Sequence, residues 1–238
     1  MLRLLTFGGL SLEVNGQLVT GAMTQRRRMA LLVLLAAARD RGVARDRLLA
    51  LLWPESDDAR ARHVLAQLLY AEQRDTQSDE LFLGTKTLRL NPAVMTSDLA
   101  QFEDALAAGD PAAALGHYFG PFLDGFHVDG APEFEEWLDR QRRRYADQAR
   151  QAAEGLARQA AASDDAGTAV GWWHRAIEIA PHAAPLALAL ADTLRGVGDR
   201  SGALAALAGY ADRLRRDLDL EPEPEVARAL ASLRGGPG

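Results

Sequence analysis

The chain has 238 residues, 48% of them hydrophobic, which is enough for one large or two ordinary domains with real cores. It contains no cysteine, so disulfides, thiolate metal sites and cysteine nucleophiles are excluded together. The formal net charge of −6 is unevenly shared. Residues 1–95 hold 13 Arg/Lys against 10 Asp/Glu, a net of +3, and residues 96–238 hold 14 against 23, a net of −9. A basic segment beside an acidic one suits a DNA-binding head with a protein-facing body, and uneven surface charge is the plainer alternative.

The opening residues show no signal peptide, and the longest apolar run, Met29 to Ala38, is ten residues, too short to span a bilayer. The expected location is the cytoplasm, with no membrane partner. Leu2, Leu4, Leu10, Leu12 and Val14 recur at strand spacing, and Asn15-Gly16 before Leu18 predicts a hairpin turn. A helix is predicted from about Thr24 to Ala38, and a second from about Ala44 to Leu52, ended by Trp53-Pro54. A third follows the capping run Ser56-Asp57-Asp58 and reaches about Arg74. Leu81 to Leu83, a Gly84-Thr85-Lys86 turn and Leu88 to Leu90 read as a terminal hairpin. Strands, three helices and a hairpin give the plan of a winged helix-turn-helix over residues 1–95.

After Thr96 the sequence becomes a series of alanine-rich helices, predicted near 98–108, 111–118, 132–162, 166–179, 184–196, 200–217 and 224–233. Ser163-Asp164-Asp165 with Ala169 matches Val197-Gly198-Asp199 with Ala203 at an offset of 34, the tetratricopeptide period. The fold class is therefore mostly α, with a winged helix-turn-helix followed by an all-helical, tetratricopeptide-like segment over 96–234. The segment between them, Asn91 to Thr96, is too short to act as a free linker. The tail, 235–238, carries no structural signal and is expected to be disordered.

Several residues carry a resemblance spread over both segments. They are Val43, Arg47-Leu48, Leu52-Trp53-Pro54, Ala61-Arg62, Leu65, Leu69-Tyr70 and Leu88 to Pro92 in the first. In the second they are Asp98, Phe102, Gly109-Asp110, Tyr118 to Phe126, Glu133-Phe134, Trp137, Gly198 to Arg200, Tyr210 and Glu221-Pro222. On these the chain resembles the antibiotic-regulatory-protein (SARP) type of bacterial activator, and its second part is similar to the bacterial transcriptional activator domain. The resemblance implies binding to double-stranded DNA upstream of genes, recruitment of RNA polymerase, and more than one protomer on repeated half-sites.

On a helical wheel of the third helix, Ala61, Val64, Leu65, Leu68 and Leu69 share the packed side. His63, Ala66, Gln67, Tyr70 and Arg74 point outward, with Arg60 at the flank. Gln67 is suited to a bidentate contact with adenine, and Arg74 or Arg60 to guanine or phosphate. Tyr70 and His63 can hold phosphate oxygens. Arg26, Arg27, Arg28, Lys86 and Arg89 would supply backbone contacts. Relatives carry more arginine at the end of this helix, where the chain reads Tyr70-Ala71-Glu72-Gln73-Arg74-Asp75. Glu72 falls on the packed side, so either the helix frays there or the carboxylate finds a partner.

No catalytic or metal site is expected. The five histidines lack metal-ligand spacing, and no glycine-rich run leads to Gly-Lys-Ser/Thr, so no cofactor is implied. Tyr118, Phe119, Phe122, Phe126, Phe134 and Trp137 are expected mostly in the core, and only one of Trp172 and Trp173 can be well buried. A second class stays open: a protein-interaction adaptor with a vestigial DNA-binding head, using the groove that stacked helix pairs create.

Overall fold

A computed structural model describes residues 1–21 and 25–235. The predicted helix start at Thr24 and the tail from Gly236 lie outside the described residues, while Gly235, expected to be disordered, closes the last helix. The chain divides into two compact units, Met1–Tyr145 and Ala146–Gly238, with the boundary inside one long helix.

In the first unit, β1 (Leu2–Leu5), β2 (Ser11–Val14) and β3 (Gln17–Leu18) form a meander. Leu2 lies opposite Val14 and Leu4 opposite Leu12, so the alternating leucines share the buried face. Asn15 and Gly16 both have positive φ, 52° and 80°, as a two-residue hairpin loop with the right twist requires. Three helices follow: α1 (Arg26–Ala38), α2 (Arg45–Leu52) and α3 (Asp58–Thr76). Every residue of α1 from Met29 to Ala37 is buried, as befits a helix apolar all round. The predicted wing is present as β5 (Phe82–Leu83) and β6 (Thr87–Leu90), and β6 also pairs with the short β4 (Val43–Ala44). Gly84 has φ +87°, and a side chain there would collide with the Thr87 carbonyl.

Residues 96–234 are helical except at their start and over the 118–131 loop. There β7 (Met95–Ser97) pairs parallel with β1, giving the order β3-β2-β1-β7, and Phe122 bridges to Phe7. This departs from an entirely helical segment because the outer edge of β1 would otherwise leave its amides unpaired. At the end of β7 the fully buried Asp98 accepts hydrogen bonds from the Thr6 and Phe7 amides, the Thr6 hydroxyl and the Leu99 amide. Asp98 opens α4 (Asp98–Ala107), which α5 (Pro111–His117) follows after the Gly109-Asp110 turn. The loop after α5 is held by Arg142, whose guanidinium donates to the Phe122, Leu123 and Phe126 carbonyls at 2.7–3.1 Å. Phe122, Phe134 and Tyr118 enter the core as expected. Phe119 does not: it is 68% exposed, because Gly120 beside it packs against the Gly8 backbone and turns the preceding side chain outward.

The second unit begins within α6 (Pro132–Ala162) and stacks α7 (Ala166–Ile179), α8 (Ala184–Gly196), α9 (Arg200–Leu218) and α10 (Pro224–Gly235). The predicted repeat is visible in detail. Asp165 and Asp199 each cap the helix they precede, accepting from the Thr168 and Gly202 amides, and Ala169 and Ala203 are both fully buried at the close approach of paired helices. Trp173 is the buried member of the tryptophan pair, donating to the Thr193 hydroxyl.

Replacing Asp98 with alanine removes the acceptor of three amides and a hydroxyl, and is expected to destabilise the first unit by roughly 2–5 kcal/mol in urea unfolding. The capping amides hold the Asp165 and Asp199 carboxyls below the usual aspartate range. Their contribution is therefore fully present above the unfolded value of about 3.9 and is lost as pH falls through the lower folded values. Asp199→Asn, which keeps an acceptor that does not titrate, should flatten the acid limb of the helical circular dichroism signal.

Candidate nucleic-acid interface

The turn between α2 and α3 is built by local chemistry. Pro54 cannot continue α2, and Asp57 caps α3 by accepting the Arg60 amide at 2.9 Å. From there Ala61, Leu65 and Leu69 are buried, Val64 and Leu68 half-buried, and Arg60, His63, Ala66, Gln67, Tyr70 and Arg74 exposed. The outward face matches the wheel. Tyr70 is 67% exposed, an unusual setting for a large ring in a water-facing helix. Among the described residues, the side chains of Arg60, His63, Gln67, Tyr70 and Lys86 form no hydrogen bond or ion pair with the protein.

The arginines in the first turn of α1 behave differently from the basic patch they resemble. Arg28 is buried, donating from Nε to Glu72 at 2.6 Å and from Nη1 to Asp75 at 3.0 Å. It is a structural residue, not a phosphate contact, because its helix position turns it toward the end of α3. Arg26 donates to the His127 carbonyl and Nδ1, and Arg27 to the Leu52 and Asp129 carbonyls. Both pin the 127–129 loop, so each guanidinium is anchored through at least one nitrogen. Arg74 faces water but is tied to Asp75 at 2.7 Å. Arg89 is half-buried on β6 against Gly42. The sequence thus places ten candidate residues on this side of the head, and the fold leaves about half of them uncommitted.

Glu72 has found its partner, so α3 continues through it to Thr76, where Gln77 in the left-handed region ends the helix. Burial pushes the Glu72 carboxyl up from its ordinary range, and Arg28 pulls only part of the way back. The adjacent Asp75 is held low by Arg74 and Arg28. One Arg28 nitrogen and one Glu72 oxygen stay buried without a partner, so this pair is not an efficient source of stability.

Beside the outward face of α3 lies an open groove of ≈ 530 Å³ between α2, α3 and the wing, lined by Ala44, Arg45, Asp46, Arg62, Leu65 and Thr85 to Thr87. Arg45 and Arg62 were not singled out as site residues in the sequence. Arg62 precedes Ala66 by one helical turn, and that spacing was the available signal. Among the described residues, no group of three or more His, Asp or Glu could hold a metal ion, and no helix is long and apolar enough to cross a membrane.

Residues 93–234 match the family described as the bacterial transcriptional activator domain. The chain belongs to this family. Among solved structures, Mycobacterium tuberculosis EmbR, in complex with a low-affinity phosphopeptide, has a similar fold. The TM-score is 0.63 with 22% sequence identity, over 100% of this chain and 66% of that one, so the chain spans just under two thirds of EmbR. No curated protein matches it in sequence. In this family member the activator-domain match starts two residues before β7, at the strand that completes the N-terminal sheet.

Breaking the Arg28–Glu72 pair from one side strands a buried charge. Arg28→Ala is expected to cost about 3–5 kcal/mol, whereas the double change Arg28→Met with Glu72→Leu should come within about 1 kcal/mol of wild type or exceed it. Chemical denaturation of the three proteins measures both values.

Proposed function

We propose that residues 1–95 bind double-stranded DNA, with α3 in the major groove and the Gly84–Lys86 turn against the backbone. Residues 96–234 then form the protein-facing body that engages RNA polymerase, with more than one protomer on repeated half-sites, so that the protein activates transcription. The observation that carries this reading is the exposed face of α3, where Arg60, His63, Gln67 and Tyr70 reach into solvent without protein partners on a helix whose other side is locked. A helix of this kind fits a groove about 12 Å wide and leaves donors and acceptors free for base edges. Lys86 at the wing tip adds a free cation. The reading requires neither catalysis nor a cofactor, and it is consistent with a cytoplasmic protein.

A specific observation favours the second reading, an adaptor with a vestigial head. Arg28 is internal, Arg74 is neutralised by Asp75, and Asp57-Asp58 opens α3, so the head offers fewer phosphate contacts than its arginine count suggests.

The two are separated by binding measurements on duplex DNA. Gln67→Ala is expected to lower discrimination between sites by about 1–3 kcal/mol while leaving non-specific affinity nearly unchanged. Lys86→Ala should weaken all sequences alike and reduce the salt slope by about one unit. Arginine introduced at Ala71 and Gln73 should strengthen binding generally. Wild type without salt-dependent binding at low ionic strength, with binding gained by that double variant, would establish the vestigial head.

A further inference from the structure

The groove between α2, α3 and the wing has a charge pattern that the α3 face alone does not explain. Three cationic side chains line it, Arg45, Arg62 and Lys86, against one carboxylate, Asp46. Arg45 is fixed from behind: its Nε donates to the Thr85 carbonyl at 2.6 Å, which leaves both terminal nitrogens without a protein partner among the described residues. A guanidinium held this way is pre-ordered for an anionic oxygen. Lys86, whose carbonyl accepts the Arg45 amide at 3.0 Å, is exposed, and its ammonium has no protein partner among the described residues. Arg62 sits between Asp46 at 3.7 Å and Asp58 at 3.8 Å, both too long for hydrogen bonds and both pairs well exposed to water. These are weak pairs that a tighter anion can displace.

On the other side of Arg62 lies a second groove of opposite sign. Asp46, Asp58 and Glu133 line it with Trp53 and Pro54, and Arg62 is its only lining cation. A polyanion is therefore favoured on the wing side of Arg62, where three cations face Asp46, over the Trp53 side, where Asp46 and Asp58 face Arg62 and Glu133 is paired with Arg47 at 3.1 Å.

We propose that the wing-side groove is a clamp for nucleic-acid backbone phosphates, in which Arg45, Arg62 and Lys86 take the anionic oxygens. Asp46 is its built-in competitor, holding Arg62 until a phosphate replaces it. The clamp rests on the DNA-binding reading and deepens it, since it sets which side of α3 the backbone crosses. An extended chain of phosphates is the fitting ligand, because the three cations come from two separate elements, the helical pair and the wing, around an open groove.

The test is fluorescence anisotropy with a short random-sequence duplex between about 50 and 200 mM salt. Arg45→Ala and Arg62→Ala are each expected to weaken binding roughly three- to tenfold and to lower the salt slope by about one unit. Arg62→Lys should keep most of the slope, and thermal unfolding should show all variants folded. Asp46→Asn should tighten binding about threefold by releasing Arg62, a gain that loss of structure cannot imitate. Salt-dependent binding by wild type with an unchanged slope in both arginine variants overturns the clamp and leaves the DNA reading standing. Weaker binding by Asp46→Asn overturns the competitor role. Absence of wild-type binding to any duplex at low salt overturns clamp and DNA reading together. Inorganic phosphate at matched ionic strength should compete no better than chloride, and saturable binding of it would overturn the assignment to a polymer backbone.

Discussion

The carboxylate of Asp98 gathers four donors in a site closed to water: two amides and a hydroxyl from Thr6 and Phe7, and its own neighbour's amide. A buried charge is tolerable only with such compensation. Because the donors come from a strand more than ninety residues earlier, this one group ties the end of β1 to the start of α4. Phe7 is thereby aimed at Phe102, Tyr118, Phe122 and Tyr145, all within ring contact. The Leu123 amide then donates to the Thr6 carbonyl and the Gly8 amide to the Pro121 carbonyl, which brings the loop after α5 onto the same strand end. The winged head and the first helices of the activator domain therefore share a core around Phe7.

Around α3 the charges follow a second logic. Glu72 and Asp75 draw Arg28 inward, so one positive charge in the arginine triplet orients the end of the helix and is lost to solvent. The other two hold a loop through its carbonyls, leaving their charge uncancelled but their guanidinium groups anchored. What remains for a polyanion is concentrated toward the wing. A head with few free cations can still discriminate among sequences, because discrimination resides in base-edge contacts while phosphates supply affinity.

Much of this architecture was legible in the sequence where a local rule decides the conformation. Asn15-Gly16 demands positive φ at two successive residues, Pro54 and Asp57 punctuate the helix pair, and Asp165 and Asp199 mark repeat starts with a buried alanine four residues on. The outward face of α3 followed from periodicity alone. The misses share a cause. Arg28 reads like its neighbours, and its burial is decided by Glu72, 44 residues away. Three residues of β7 are too few to show alternation, and become a strand only because β1 offers an open edge. Phe119 looks as core-like as Phe122, until the close approach of Gly8 and Gly120 fixes which ring turns in. Each depends on a tertiary partner that no short window contains.

The parallel pairing of β1 with β7 also imposes an order on synthesis. The first strand leaves the ribosome with one edge open and Phe7 without the rings that later enclose it. Its partner strand, the Asp98 carboxylate and Tyr145 all lie downstream, the last of them 138 positions later. At the usual elongation speed of about 5–20 residues per second, that interval is roughly 7–28 s. Until β7 follows, at Met95, the nascent head carries an unpaired strand edge, a template for wrong pairing. The same geometry means that cutting the gene at the apparent end of the wing would discard the strand that finishes the first sheet.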